Sequence, residues 1–383
     1  MGNTTVISLF TGAMGLDLGL EQAGFDIRVA VDKDKYAVAT IKANRPEIPV
    51  IPDNLARVST AQILEEAGLE QTETTVLAGA SPCEPFSTIG KRMSVEDERA
   101  SLIDDFIRVV QEAQPMYWVF ENVPGLKWAA RRHVSFYDRT ATPKDEVHED
   151  EKPGSAFKDI MAKFKATGYQ VSDPAILDAA DYGTPQHRRR LIIIGARDGN
   201  AVPMPSPTHG KPGSLEVIQG HREPWLTVGD VLGDFDDPYP EHTRFPAWGE
   251  YLKYVPTGGC WRDLPEHLRE EAIGKAFYSS GGRTGFLRKL SWDRPSPTLV
   301  DSPITRAACL CHPIMNRPLT VGEYLRLQGF PNDWKVEGPL AAKYRLIGQA
   351  TPPLLMRCIA QSIMEHYQAT FATENELLPA GSI

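Results

Sequence analysis

Short apolar runs alternate with stretches of helical spacing along the first two hundred residues. Val6-Ile7-Ser8-Leu9-Phe10 is a buried-strand pattern broken by Thr11-Gly12. Leu16, Leu18, Leu20 and Ala23 follow on a helix closed by Gly24. Ile27 to Val31 predicts a second strand, and Tyr36 to Ala43 a helix that ends before Pro46. Further strands are expected at Val76 to Gly79, Tyr117 to Phe120 and Leu191 to Gly195. Helical patterns at 99–113 and 155–167 fall between them. Such alternation predicts an α/β protein whose parallel sheet is covered by helices on both faces.

The texture changes from about 200 to 315. Pro203, Pro205, Pro207, Pro212 and Gly213 crowd together, aromatics scatter, and no period holds. An irregular second domain or large insertion is expected there. After Pro318 helical spacing returns at Val321 to Gly329 and at Pro352 to Tyr367. At 383 residues the chain exceeds one typical domain. It divides into 1–199, 200–315 and 316–383.

Composition adds little to that picture. Hydrophobic residues at 42% and charged residues at 24% suit a globular protein in water. No run approaches the roughly 18 to 20 apolar residues of a membrane span, and Met1 to Thr5 lack the basic start of a signal peptide. Five cysteines, widely spaced, imply reduced thiols and a cytoplasmic protein.

Charge is more informative locally than globally. The net charge of −9 argues mildly against a polyanion ligand. Yet 275–317 holds Lys275, Arg283, Arg288, Lys289, Arg294, Arg306 and Arg317 against Asp293 and Asp301. That excess suits a phosphate-facing surface or a solvated face, and composition leaves both open. Asp145, Glu146, Glu149, Asp150 and Glu151 read as a disordered or exposed insertion.

Four constellations carry chemistry. Phe10-Thr11-Gly12-Ala13-Met14-Gly15 follows the first strand, where glycines let backbone approach a nucleoside. Asp32 ends the second strand, where a carboxylate can accept from ribose hydroxyls; a tight turn with a surface Asp is the alternative. Asp53 suits an adenine amino group or a helix cap. A dinucleotide fingerprint would need a third glycine, which is absent. Cys83 sits between Pro82 and Pro85, just past an apolar strand. Glu121-Asn122 ends another such strand, and Gln186-His187-Arg188-Arg189-Arg190 begins a third. Strand alternation points either Arg188 and Arg190 together, or Arg189, toward the sheet's active edge. Cys309-Leu310-Cys311-His312 is too tightly spaced for a zinc pair, so no metal is expected.

In this order the motifs resemble those of the C5-cytosine DNA methyltransferases of bacterial or phage restriction-modification systems. Phe10 to Gly19 resembles the cofactor loop, Pro82-Cys83 the Pro-Cys motif, and Glu121-Asn122-Val123 the Glu-Asn-Val motif. Gln186 to Arg190 resembles Gln-x-Arg-x-Arg. Arg317-Pro318-Leu319-Thr320 through Leu327-Gln328-Gly329-Phe330-Pro331, and Tyr344 to Gln349, resemble the last two motifs. The likeness spans about 5–200 and 315–367.

The resemblance implies a doubly wound, mostly parallel sheet of the class I S-adenosylmethionine-dependent methyltransferase fold. It makes 200–315 a target recognition domain, and 316–383 a C-terminal part that returns to the catalytic domain. It implies methyl transfer from S-adenosylmethionine to C5 of a flipped cytosine in duplex DNA, leaving S-adenosylhomocysteine. Cys83 is then the nucleophile at C6, Glu121 holds N3 and the exocyclic amine, and Arg190 with Arg188 fixes the ring carbonyl and backbone. Asp32 binds the ribose and Asp53 the adenine amino group, while Phe10, Gly12, Gly15, Leu102 and Gln349 line the cofactor. From the loop 84–98, Ile89 or Arg92 enters the space left by the flipped base.

Gly258 to Arg262 and Gly281 to Gly285 are the candidate DNA-facing loops or, equally, structural turns. They offer Arg262, Arg283 and Arg288 as guanine or phosphate contacts. Expected partners are double-stranded DNA and a cognate restriction endonuclease acting on the same site, with the chain itself a monomer. Three departures stand out. Met14 replaces a common Gly and would reshape the cofactor pocket; Glu84 replaces the usual Gln and Gln349 the usual Asn. Rival readings are a tRNA cytosine-C5 methyltransferase, whose Cys-Phe-Thr motif is missing, a catalytically idle DNA-binding regulator of the same fold, and a dinucleotide-dependent oxidoreductase.

Overall fold

The computed structural model describes residues 4–81, 101–132, 147–278 and 284–377. Five strands run parallel: β1 (Thr5–Leu9), β2 (Asp26–Val31), β3 (Val50–Ile51), β4 (Val76–Ala80) and β5 (Tyr117–Asn122). Then come β6 (Gln170–Val171), β7 (Ala175–Asp178) and β8 (Arg189–Ala196). The order across the sheet is β3-β2-β1-β4-β5-β8-β6, with β7 also paired to β8. β8 runs antiparallel to β5, β6 and β7. The sheet is thus mostly parallel, as expected, with β8 the strand that reverses. An apolar run carries no signal for strand direction, and β6 is too short to show a pattern.

Two apolar layers sandwich the sheet, because successive side chains on each strand point to opposite faces. Val6, Ala30, Val76, Tyr117 and Ile192 pack on one side. There they meet α1 (Gly15–Gln22) and α2 (Lys35–Asn44). Ile7, Leu9, Val29, Leu77, Trp118, Phe120 and Ile193 pack on the other. Their partners are α3 (Thr60–Ala67), α4 (Ser101–Ala113) and α5 (Ser155–Ala166). The stack of Trp118 on Phe164, with ring centroids 4.6 Å apart, anchors α5.

Short pieces follow: α6 (Leu215–Ile218), α7 (Val228–Leu232) and α8 (Glu266–Ile273). Leu252, Val255, Leu264, Ile273, Leu287, Cys309 and Cys311 form a small apolar cluster of their own. Val228, Leu232, Leu290, Leu299 and Leu310 instead join the large core. The four described cysteines, Cys260, Cys309, Cys311 and Cys358, are free and buried.

The acidic stretch is only partly as expected. Asp145 and Glu146 lie outside the described residues. Glu149 to Glu151 form a 3-10 turn, held by Asp150 to Arg131 at 2.7 Å and Glu151 to Arg132 at 3.3 Å. Among the described residues no helix is long and apolar enough to cross a membrane.

The chain returns to the large core through α9 (Val321–Gln328), α10 (Leu340–Gln349) and α11 (Pro353–Leu377). Thr320 and Glu323 form a reciprocal cap at the start of α9. α11 lies directly on α1. A Cβ at Gly19 would stand 2.6 Å from both the Pro353 carbonyl oxygen and the Met356 Cβ. Gly19→Ala should therefore force the two helices apart and destabilise the fold by about 1–3 kcal/mol. Thermal unfolding checks this; an unchanged midpoint would mean the contact yields freely.

Asp17 on α1 is fully buried beside the Ser8 hydroxyl. Burial raises its pKa to about 7, against the lowering effect of the Ser8 hydroxyl. The unfolded chain loses this proton near the ordinary 3.8, whereas the folded chain keeps it until about 7. Stability contributed by the protonated form is thus lost as pH rises across that window. Asp17→Asn cannot ionise, so between pH 4.5 and 8 it should gain about 2–4 kcal/mol relative to the parent. Denaturant melts at the two pH values measure this, and a pH-independent difference would refute the raised pKa.

Candidate active site

The carboxyl ends of β1, β2, β4 and β5 and the start of β8 open into a cleft of about 260 Å³. This is where open α/β sheets hold ligands. Its wall includes Phe10, Gly12, Gly15, Asp32, Asp53, Leu102 and Gln349, together with Glu121 and Arg190. These come from five strand ends, α4 and α10. The cleft thus gathers the expected cofactor residues with two of the four expected catalytic ones.

The loop after β1 bends sharply. Phe10, Gly12 and Met14 all have left-handed φ, of 57°, 58° and 65°. Gly12 N–H donates to Asp32 Oδ2 at 2.8 Å, and Asp34 N–H to Asp32 Oδ1 at 2.8 Å. Asp32 therefore holds the loop as well as facing the cleft, and burial raises its pKa. The expected effect of Met14 on the pocket is corrected. Its side chain is fully buried in the core and is not part of the wall. Its left-handed backbone costs a non-glycine residue about 1–2 kcal/mol, which explains why glycine suits that position.

Gly15 is required by a close approach, since a Cβ there would stand 2.1 Å from the Thr351 carbonyl oxygen. Asp53 accepts from Asn54 N–H at 2.6 Å, but the side chain that caps the next turn is that of Asn54. Asp53 is thus not the cap. Thr351 and Arg345 line the wall without having been assigned to it. Thr351 faces Glu121, and Arg345, inside the motif 344–349, pairs with Asp34 at 2.6 Å across the rim. Each reaches the cleft through the packing of α10 and α11, which no local pattern shows.

Glu121 ends β5, and its strand register sets it beside Ala80 of β4. Its Oε1 lies 2.6 Å from Arg190 Nε, with both side chains under 10% exposed. Thr351 and Arg190 are the side chains that engage this carboxylate. Burial pushes the Glu121 carboxyl up, against the charges of Arg190 and Arg188. Asn122 Nδ2 donates to Ser81 Oγ at 3.0 Å, fixing the end of β4. Cys83, Glu84, Ile89, Arg92 and Arg283 lie outside the described residues.

Arg188 and Arg190 are buried and Arg189 is exposed, so strand alternation selects the first of its two options. The pair then divides. Arg190 reaches the cleft, whereas Arg188 donates to the carbonyls of Leu299 at 2.9 Å and Gly348 at 2.6 Å. Its tie to distant backbone was not visible in the motif.

Arg262, which precedes the basic segment 275–317, is exposed and lies over the Trp261 ring at 5.6 Å. Arg288 donates from Nε to Cys309 O at 3.3 Å. Burial lowers its pKa, and it faces Cys309, Cys260 and Tyr324 rather than carboxylates. Lys289 is buried, and Arg317 is held by Glu323 at 2.8 Å. The six described cations of the segment therefore do not form one continuous surface. Among the described residues, no group of three or more His, Cys, Asp or Glu is placed to hold a metal.

The sequence profile of the C-5 cytosine-specific DNA methylases matches residues 4–365. The chain is 37% identical over 369 residues to the Type II methyltransferase M.PspPI of Psychrobacter sp. (strain TA137), covering 95% of this chain and 80% of that protein. It is 36% identical over 366 residues to the Type II methyltransferase M.Eco47II of Escherichia coli, covering 94% and 78%. A solved structure of the S. pombe Dnmt2 methyltransferase matches with a TM-score of 0.56 at 15% identity, over 96% of this chain and 99% of that one. That likeness bears on the fold alone, which is the class I methyltransferase sheet. With the motifs in order and the profile matched over nearly its whole length, the chain belongs to the C-5 cytosine-specific DNA methylase family and is a DNA cytosine-5-methyltransferase.

Proposed function

We propose that this protein methylates C5 of a cytosine flipped out of a specific duplex DNA sequence, as the methyltransferase of a type II restriction-modification system. The observation that carries the reading is the buried Glu121–Arg190 pair in one wall of the cleft, beside the strand end that leads to Cys83. Only Pro82 stands between Ser81 and Cys83 in the chain, a reach of at most about 7 Å. That short reach supports one site holding the nucleophile, the carboxylate and the cleft.

The cleft residues fit S-adenosylmethionine. Asp32 suits the ribose hydroxyls and Asp53 the adenine amino group. Phe10 and Leu102 offer apolar walls, and Gly12, Gly15 and Gln349 let backbone and amide close on the methionine end. When bound, that group supplies an electrophilic methyl for C5 to take. The protein does the rest. A base must leave the stack before its C6 face is open to attack. Cys83 thiolate then forms a bond to C6 and pushes the ring's electron pair toward C5. The raised pKa of Glu121 favours the protonated carboxyl that can donate at N3, while its other oxygen can accept from the exocyclic amine. Arg190 keeps Glu121 in place and faces the ring carbonyl. After methylation C5 loses its proton, the C5–C6 double bond re-forms, and the thiolate leaves.

Residues 200–315 form the target recognition domain in this reading, with 1–199 and 316–383 the catalytic part. Arg262, Arg283 and Arg288 contact DNA there, and Ile89 or Arg92 fills the space beside the flipped base. A cognate endonuclease reading the same site completes the system, and the chain acts as a monomer in the cytoplasm. The largely buried Arg288 guanidinium, facing thiols and a phenol rather than an acid, supports a role for it in binding an anion or a guanine edge.

Bisulfite sequencing of DNA from cells expressing the protein tests the reading. One short motif should be methylated, and a Cys83→Ala control should leave it unmethylated; an unmethylated genome with soluble, cofactor-binding protein would refute it. Cys83→Ser should bind S-adenosylhomocysteine normally and show no turnover, so appreciable residual methyl transfer would remove Cys83 as nucleophile. Glu121→Gln should lower turnover by about 100-fold or more with little change in DNA affinity. A parental rate would make the carboxylate structural.

A further inference from the structure

The cofactor cleft and the small apolar cluster meet at the segment Leu299-Val300-Asp301. Arg188 ties Leu299 to Gly348 at the end of α10 through two backbone carbonyls. Gly348 lies so close that a Cβ there would stand 2.4 Å from the Val300 carbonyl oxygen. The next residue, Gln349, lines the cleft and donates from Nε2 to Asp301 Oδ2 at 3.3 Å. Beyond Asp301 the chain runs through 302–308 into the small cluster at Cys309. On that stretch Arg306 donates to the Ala272 carbonyl, next to Ile273 of the same cluster.

These contacts differ in kind. Arg188 and Gly348 hold backbone segments together, and neither is part of the cleft wall. Gln349 is a cleft side chain, and its amide is shared between the cleft and Asp301. The longer reach of glutamine over asparagine is what brings Nε2 to that carboxylate. Asp301 is itself exposed, so removing its carboxylate leaves the core intact.

We propose that Asp301 is a positioning residue that couples the cofactor cleft through Gln349 to the segment 302–308, and that this segment of the target recognition domain faces DNA. A ligand that orders Gln349 also orders 302–308, and by reciprocity DNA that orders 302–308 tightens the cofactor. The inference rests on the methyltransferase reading above.

Calorimetric titration of the full chain with S-adenosylhomocysteine, with and without duplex DNA, tests it. The probe is an oligonucleotide duplex carrying the sequence that bisulfite sequencing finds methylated, or sheared genomic DNA if none is found. The parent should bind S-adenosylhomocysteine about five- to tenfold more tightly with the duplex present. Asp301→Asn keeps an acceptor oxygen and should keep the enhancement. Asp301→Ala should lose most of it, falling below about twofold, with its DNA-free affinity unchanged. An enhancement that survives Asp301→Ala, or a parent that binds both ligands independently, overturns the inference. So does an Asp301→Ala protein whose DNA-free cofactor affinity falls, which would make Asp301 part of the cleft alone. A parent that binds neither probe overturns the methyltransferase reading itself.

Discussion

The close contact between the first and last helices is the constraint on which the cleft depends. Gly15 and Gly19 leave no side chain on the face of α1 that meets Thr351, Pro353 and Met356. Backbone therefore lies on backbone, and residues 349–351 reach a wall built by strands more than 150 residues earlier in the chain. Dispersion contacts of this kind are individually weak and need near-contact distances to matter. One added methyl at either glycine would cost both the packing and the position of Gln349.

Buried polar groups then make that arrangement specific. Gln186 accepts from Leu299 N–H at 2.9 Å and donates to Gln328 Oε1 at 2.5 Å. Gln328 in turn donates to the Ala350 carbonyl at 2.5 Å. A buried amide left without partners would cost free energy, so such chains admit one register only. The Glu121–Arg190 pair has a different character. Two buried charges rarely stabilise a fold over an apolar pair of like size, so their retention at the cleft speaks for chemistry rather than stability.

Much of this was legible along the chain. The strands β1, β2, β4, β5 and β8 each announce themselves as an apolar run ending in glycine or in a polar residue. Residues that flank those runs, from Phe10 to Arg190, are among those that line the cleft. The strands β3 and β6 were not legible, because two residues are too few to show a period. The reversed direction of β8 was hidden for a related reason, since burial on both faces looks the same whichever way a strand runs. Met14 read as a change to a pocket wall, yet its left-handed backbone turns the side chain into the core.

The sequence by itself determined the alternation of elements, the order of the motifs, and the family to which the chain belongs. These rest on local spacing and residue chemistry, which survive without knowledge of distant contacts. Only the tertiary structure decided that Arg190 faces Glu121 while Arg188 binds the carbonyls of Leu299 and Gly348. It also decided that Thr351 and Arg345 join the cleft, and that Arg317 of the basic segment is spent on Glu323. Each of those partners is chosen by packing between elements far apart in the chain, and the periodicity of a single segment carries no trace of what it will meet.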